Sequence, residues 1–206
     1  YKEEARAEDE KLTKLYDENE SFYLHLEDSV KFLPEFENSL KKTATYMFLM
    51  DSLAKRIDIK DYGDIKLYNF YFKNYTQDRE DNSLWAGENK HYFYFQYQLN
   101  GNTDYIELED KGEISDIFKF YYDKAPYYLI VSFYYDEDTK ENNGGVLRVL
   151  KNENNKLVLT DDLFPDKDMF NNVISLRMDD FAFDPESRIV SYNQEIFQDG
   201  ELIEIG

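Results

Sequence analysis

The chain reads as an α+β protein: an N-terminal helix pair followed by an antiparallel β-meander in one or two twisted sheets. Three observations predict this. Apolar residues recur at three- and four-residue steps as far as Ile57, and after Tyr62-Gly63 the pattern changes to period two. The alternating runs are also separated by turn-forming tetrapeptides, too short to hold crossover helices.

The first helix is drawn by Leu12, Leu15, Tyr16, Phe22, Tyr23, Leu26, Val30 and Leu33, which form one apolar stripe. Residues 1–11 are mostly charged, with Ala5 and Ala7 alone to pack, so that end is expected to fray. Pro34 interrupts the stripe and suits the first turn of a second helix. Phe36, Leu40, Ala44, Met47, Phe48, Ala54 and Ile57 carry that helix onward, with Asp51 its polar exception. Residues 1–61 are therefore a helical region packing on the sheet, and residues 62–206 an antiparallel β-domain.

Strands are predicted at 65–73, 90–99, 103–109, 117–122, 126–135, 145–151, 156–160, 173–178, 188–194 and 201–205. Asn100-Gly101 and Asp199-Gly200 suit tight hairpins that need positive φ. Glu153-Asn154-Asn155-Lys156 and Asp184-Pro185-Glu186-Ser187 are reverse-turn tetrapeptides.

Alternation also assigns faces. In 91–99, Phe93, Phe95, Tyr97 and Leu99 form one face, and Tyr92, Tyr94, Gln96 and Gln98 the other. Phenylalanine needs no hydrogen-bond partner and sits with leucine, while tyrosine sits with glutamine. The Phe face is thus expected to be core, and Tyr92 and Tyr94 to meet water. Strand 126–135 is apolar on both faces and is expected to be central. In 117–122, Phe118, Phe120 and Tyr122 are expected to face in, leaving Ile117, Lys119 and Tyr121 outside.

The composition excludes several classes of function. With 44 acidic against 24 basic residues the net charge is −20, a field that repels phosphate backbones, so no nucleic-acid partner is expected. The absence of cysteine removes disulfides, zinc–thiolate sites, iron–sulfur clusters and thiol nucleophiles. No nucleotide-binding glycine loop or nucleophile elbow occurs, and no metal site or cofactor is expected. His25 and His91 are the only histidines, and neither sits in a catalytic pattern. The chain begins at Tyr1 and not at Met, as expected of either a removed leader or a shortened chain.

The aromatic content is high, 19 Tyr and 16 Phe in 206 residues. An AT-rich genome would raise it without selection, as 18 Lys against 6 Arg also indicates. Trp85, in the polar stretch Asp81–Gly87, stands beside the Tyr92/Tyr94 row. Trp85, Tyr92 and Tyr94 are therefore the candidate ligand-binding residues, able to stack on a sugar ring or anchor a protein. The opposing expectation is that Trp85 plugs the sheet edge. Carboxylate runs at Glu107/Glu109/Asp110, Asp136/Glu137/Asp138, Asp161/Asp162 and Asp179/Asp180/Asp184 supply the acid pairs of a carbohydrate-active hydrolase.

Tyr127-Tyr128-Leu129-Ile130, Val146–Lys151 running into Asn155-Lys156-Leu157-Val158, and Phe183–Tyr192 together resemble uncharacterised exported proteins and lipoproteins of Bacteroidetes-type bacteria. Trp85 with Phe95-Gln96-Tyr97-Gln98 extends the resemblance, which covers residues 65–205 and departs around 68–87. It implies export to the periplasm or outer surface, with membrane contact only through a lipid anchor upstream of Tyr1. It carries no activity or site residues. The expected function is a non-enzymatic cell-envelope protein that binds a protein or glycan through outward aromatics. The alternative is the carbohydrate-active hydrolase.

Overall fold

In the computed structural model, which describes residues 1–21, 31–72, 75–77, 84–86, 90–108, 113–135, 142–160, 182–184, 189–191, 194–198 and 201–205, helix α1 runs over Lys2–Ser21. Its beginning is not frayed. Ala5, Glu8, Asp9, Leu12 and Tyr16 lie at helical spacing on one buried stripe, so the packed face extends into the charged end. The two carboxylates are held by specific partners. Asp9 accepts the backbone N–H groups of Ser52 (2.9 Å) and Leu53 (2.8 Å), which no side chain of their own segment caps. Glu8 accepts hydrogen bonds from Ser39 Oγ and Lys42 Nζ.

Burial alone would raise the Glu8 pKa, but the bonds from Lys42 and Ser39, with the charges of Lys42 and Lys11, outweigh it and hold the carboxyl below its ordinary range. A depressed folded-state pKa adds stability that is complete above the unfolded value of about 4.3 and is lost as pH falls through the folded value. Glu8→Gln is accordingly expected to cost about 1–2 kcal/mol at neutral pH, a charge-assisted bond discounted for the partly exposed Lys42. It should also flatten the acid limb of stability below about pH 4.3. Urea denaturation across pH measures both. An acid limb unchanged in the variant would remove Glu8 as its source.

The single second helix expected over 36–57 is broken into α2 (Phe32–Leu40), α3 (Thr43–Met47) and a 3-10 turn over Leu53–Lys55. Pro34 lies in the first turn of α2, as its missing N–H allows. The break after α2 is made by Lys42 in an extended conformation. Phe22, Tyr23, His25, Leu26 and Val30 lie outside the described residues.

The chain divides into two compact units, Tyr1–Asp110 and Lys111–Gly206. Within the first unit the helices and the first sheet share one core. That sheet has the order β1–β2–β5–β6 with β1 Asp58–Asp61, β2 Ile65–Phe72, β5 Lys90–Leu99 and β6 Asn102–Leu108, all antiparallel. A short hairpin, β3 (Tyr75–Gln77) with β4 (Leu84–Ala86), stands between β2 and β5 in sequence. Strand β1 was not legible by alternation, since it has four residues and only one apolar side chain, Ile59.

The second unit holds a sheet ordered β10–β9–β8–β7, with β7 Glu113–Tyr122, β8 Ala125–Tyr135, β9 Asn142–Glu153 and β10 Lys156–Thr160. It also holds the pairs β11 (Ala182–Asp184) with β12 (Ile189–Ser191) and β13 (Gln194–Gln198) with β14 (Glu201–Ile205). The meander is thus two four-stranded antiparallel sheets after a helical start. Among the described residues three two-residue turns have positive φ at both positions: Asn100 and Gly101, Asp123 and Lys124, Asn154 and Asn155. This geometry matches the right-handed strand twist. Asn100-Gly101 and the Asn154-Asn155 turn follow from the sequence; Asp123-Lys124 does not, because lysine rarely adopts positive φ. The strand expected at 173–178 and the turns at 185–187 and 199–200 lie outside the described residues.

Candidate functional site

Tyr92 and Tyr94 do not meet water. They are 7% and 1% exposed, and Gln96 between the same strands is 0% exposed. The expectation of an outward row is corrected for a physical reason. Tyrosine and glutamine on this face have their polar atoms satisfied by the helices packed over them, so their polarity marks a bonded interface and not solvent. Tyr68 donates to Gln96 Oε1 at 2.8 Å, and Gln96 Nε2 donates to the Leu40 carbonyl at 2.7 Å and to Thr45 Oγ1 at 3.0 Å. Thr45 Oγ1 in turn lies within hydrogen-bonding distance of the Ser39 and Lys42 carbonyls. The end of α2 and the start of α3 are thereby fixed to the centre of β5.

The second tie is Glu37, whose carboxylate accepts from Tyr94 at 3.2 Å and also from Tyr105. Burial, then the Glu37 bond and neighbouring negative charges, push the Tyr105 hydroxyl up to about 12. Burial and the charges of Glu107 and Glu37 raise Tyr94 as well. Both hydroxyls are therefore neutral donors at physiological pH. Around them Phe32, Phe36, Phe70, Tyr92 and Tyr94 form one aromatic core, with Phe36 edge-on to Tyr68, Phe70 and Tyr94 at 5.3–5.4 Å. Phe93, Phe95 and Tyr97 on the opposite face of β5 are also buried.

Alternation in β2 gave no sign of Lys66, which is buried. Its ammonium points at the Thr45 (3.3 Å) and Phe48 (3.4 Å) carbonyls at the end of α3 and lies 5.6 Å from the centre of the Tyr46 ring. Burial lowers its pKa, partly offset by Asp61. The carbonyls it meets at a helix C-terminus make it a capping lysine.

Trp85 lies in β4, paired through its backbone with Thr76. Its side chain is outside the described residues. Of the carboxylate runs, Glu107 lies in β6 and Asp184 in β11. Glu109, Asp110, Asp136, Glu137, Asp138, Asp161, Asp162, Asp179 and Asp180 lie outside the described residues. A shallow groove of about 480 Å³ is lined by Glu10, Thr13, Lys14, Asp17, Glu18 and Ser52. Arg56 holds Asp17 through two bonds, of 2.6 and 3.2 Å, and lowers its pKa, the reverse of what a proton donor needs. Among the described residues no group of three or more His, Asp or Glu is placed to hold a metal, and no helix is long and apolar enough to cross a membrane.

Aromatic rings do reach the surface elsewhere. At the tip of the β7–β8 hairpin Tyr121 is 52% and Tyr122 49% exposed, and residues 121–125 are exposed throughout. Tyr121 is expected outside and Tyr122 inside, whereas both are exposed at the tip. Ile117, expected outside, is buried further along the same strand. Tyr122 stands perpendicular to Tyr127 (88°, centroids 5.9 Å apart), and Tyr127 stacks on Phe120 at 5.6 Å. Lys119 Nζ lies 5.4 Å from the centre of the Tyr121 ring. Packing on Phe120 holds the inner ring in place, so the outer one meets a prepared corner. The central strand β8 behind them carries Leu129, Ile130 and Val131, all buried, as its two apolar faces predicted.

Compared with protein-family models, with curated proteins and with solved structures, the chain has no match.

Proposed function

We propose that this is a non-enzymatic glycan-binding protein of the cell envelope, engaging its ligand through the tyrosines of the β7–β8 hairpin and not through Tyr92 and Tyr94. The observation that carries it is the half-exposed pair Tyr121 and Tyr122, with Tyr122 at right angles to a stacked Tyr127. A pyranose ring offers one apolar C–H face and an equatorial rim of hydroxyls. A tyrosine corner offers an apolar face and phenolic hydroxyls to match them. The tip is also narrow. Its five exposed residues fall well short of the roughly 20–30 per side of a standard protein–protein interface, which favours a thin ligand. The envelope assignment is supported by the resemblance of residues 65–205 to exported proteins.

The test is a panel of neutral and acidic oligosaccharides titrated against the protein and against Tyr121→Ala/Tyr122→Ala, with thermal unfolding as the check on folding. Saturable binding that weakens by about tenfold or more in the variant is expected, the loss of a central aromatic contact. Binding left intact in a folded variant would sink the hairpin as the site. Cell fractionation tests the location, where a purely cytosolic pool would overturn the envelope assignment.

A further inference from the structure

We infer that the sugar-binding element of the hairpin is a notch on one face alone, walled by Tyr122 and Tyr127 and floored by Ala125, and that it takes the methyl-bearing edge of a 6-deoxyhexose. This rests on the glycan-binding reading above and adds to it the side of the hairpin that binds and the chemical class of the sugar.

Strand alternation separates the two exposed tyrosines. Neighbouring residues of a strand point to opposite faces, so Tyr121 and Tyr122 cannot stack on the same sugar ring. Residues directly opposite one another in an antiparallel pair share a face. The register therefore groups Tyr122 with Ala125 and Phe120 with Tyr127 on one face, and Tyr121 with Pro126 and Lys119 with Tyr128 on the other. On the second face the Lys119 ammonium lies over the Tyr121 ring, 5.4 Å from its centre, and occupies that side of it.

The first face is a two-by-two grid with one quadrant open. Phe120 stacks on Tyr127 at 5.6 Å and fills the inner half. Tyr122 and Tyr127 meet diagonally across the grid, at right angles (88°) and with 5.9 Å between centroids. The fourth position, Ala125, is exposed and carries a methyl group alone, which leaves the space above it bounded by two perpendicular rings. The ladder between β8 and β9 ends at the Tyr127–Lys151 pair, and the Tyr122–Ala125 pair lies beyond it. Facing side chains stand about 5 Å apart across the strands, so the quadrant admits the edge of one ring and not a run of several.

The chemistry of the quadrant selects that edge. Its floor is a methyl and its walls are aromatic rings. From Phe118 to Leu129, apart from the Asp123-Lys124 turn, the hairpin places no charged side chain on this face. A pyranose laid by its C–H face on Tyr122 can direct its C5 substituent at the second ring. A methyl in that position leaves water for an apolar surface. The hydroxymethyl of an ordinary hexose would exchange water for ring carbon, at a cost. An acetamido group also ends in a methyl, but it brings an amide N–H and a carbonyl into the same apolar quadrant.

The test uses methyl α-glycosides in pairs that differ by one hydroxyl, L-fucoside against L-galactoside and L-rhamnoside against L-mannoside. Each is titrated against the full chain by protein-detected nuclear magnetic resonance, and saturation transfer reports which sugar protons touch the protein. At least one 6-deoxy sugar should bind about tenfold or more tightly than its partner, roughly 1.4 kcal/mol, with its C6 methyl the most strongly saturated. Tyr122→Ala and Ala125→Leu should each weaken that binding by about tenfold or more. Tyr122→Phe, which keeps the ring, and Tyr121→Ala should leave it within about twofold. Ala125→Leu retains both tyrosines and fills the quadrant, so it separates the notch from exposed tyrosine in general. If thermal unfolding shows that it does not fold, Ala125→Thr takes its place with the same expectation. Equal affinity within both pairs, or tighter binding of N-acetylhexosamines than of either 6-deoxy sugar, would overturn the inference and leave the glycan-binding reading standing. So would an unchanged affinity in a folded Ala125 variant, or a loss on Tyr121→Ala that Tyr122→Ala does not produce. No saturable binding to these sugars or to the oligosaccharide panel would end both.

Discussion

Phe36→Ala is expected to lower the unfolding free energy of the first unit by about 3–5 kcal/mol, the range for removing a buried aromatic ring. Phe36 has no exposure, stacks on Phe32 at 5.3 Å and meets Tyr68, Phe70 and Tyr94 edge-on. Its ring is the part of α2 that enters the aromatic face of β2 and β5. Rings of this kind cannot collapse into the space left behind, because each neighbour is already fixed by another stacked or perpendicular partner. The loss is therefore transfer free energy plus an unfilled cavity. Urea denaturation followed by near-ultraviolet circular dichroism, which reports packed aromatics, measures it. A cost below about 1.5 kcal/mol, the range of a well-tolerated core swap, would mean that α2 does not depend on this contact.

Gln96→Leu is expected to destabilise the same unit by about 2–4 kcal/mol, although it places an apolar side chain in a buried site. The substitution leaves the Tyr68 hydroxyl, the Leu40 carbonyl and Thr45 Oγ1 without the partner that Gln96 supplies. A buried polar group stripped of its partner costs about 1–3 kcal/mol. The pair Gln96→Leu/Tyr68→Phe separates this account from simple misfit. Removing the orphaned hydroxyl should restore about 1 kcal/mol, since deleting both members of a bond is cheaper than deleting one. Strictly additive costs in the double mutant would show that the Tyr68–Gln96 bond is not what makes the position sensitive.

These two residues also show how much could be read from the chain. Phe36 was legible as helix core from its period with Leu40 and Ala44, a pattern set by the geometry of one helix. Gln96 was read as outward. Alternation correctly puts Tyr92, Tyr94, Gln96 and Gln98 on one face, but the greater polarity of that face reads as solvent exposure. The polarity belongs to bonds with Leu40, Thr45 and Glu37, which lie far away in sequence and leave no local pattern. Glu8 and Asp9 show the same limit: a charged helix end reads as frayed, whereas its carboxylates cap and anchor segments some thirty to forty residues away. The surface tyrosines were half legible. Tyr121 follows from alternation, but Tyr122 lies on the face expected to be inside and is nonetheless exposed at the hairpin tip.

The sequence by itself determined the fold class, most strand positions, the Asn100-Gly101 and Asn154-Asn155 turns, and the two-sided burial of β8. All are consequences of period, turn stereochemistry and local apolarity, which need only a few neighbouring residues. It also fixed the acidity and the exclusion of thiol chemistry, since these depend on composition alone. The tertiary structure decided the break of the second helical segment, the division of the strands between two sheets, and which aromatics are exposed. Each of these depends on which distant element covers a face. Burial and hydrogen-bond satisfaction are properties of pairs of segments, and alternation within one segment cannot supply its partner.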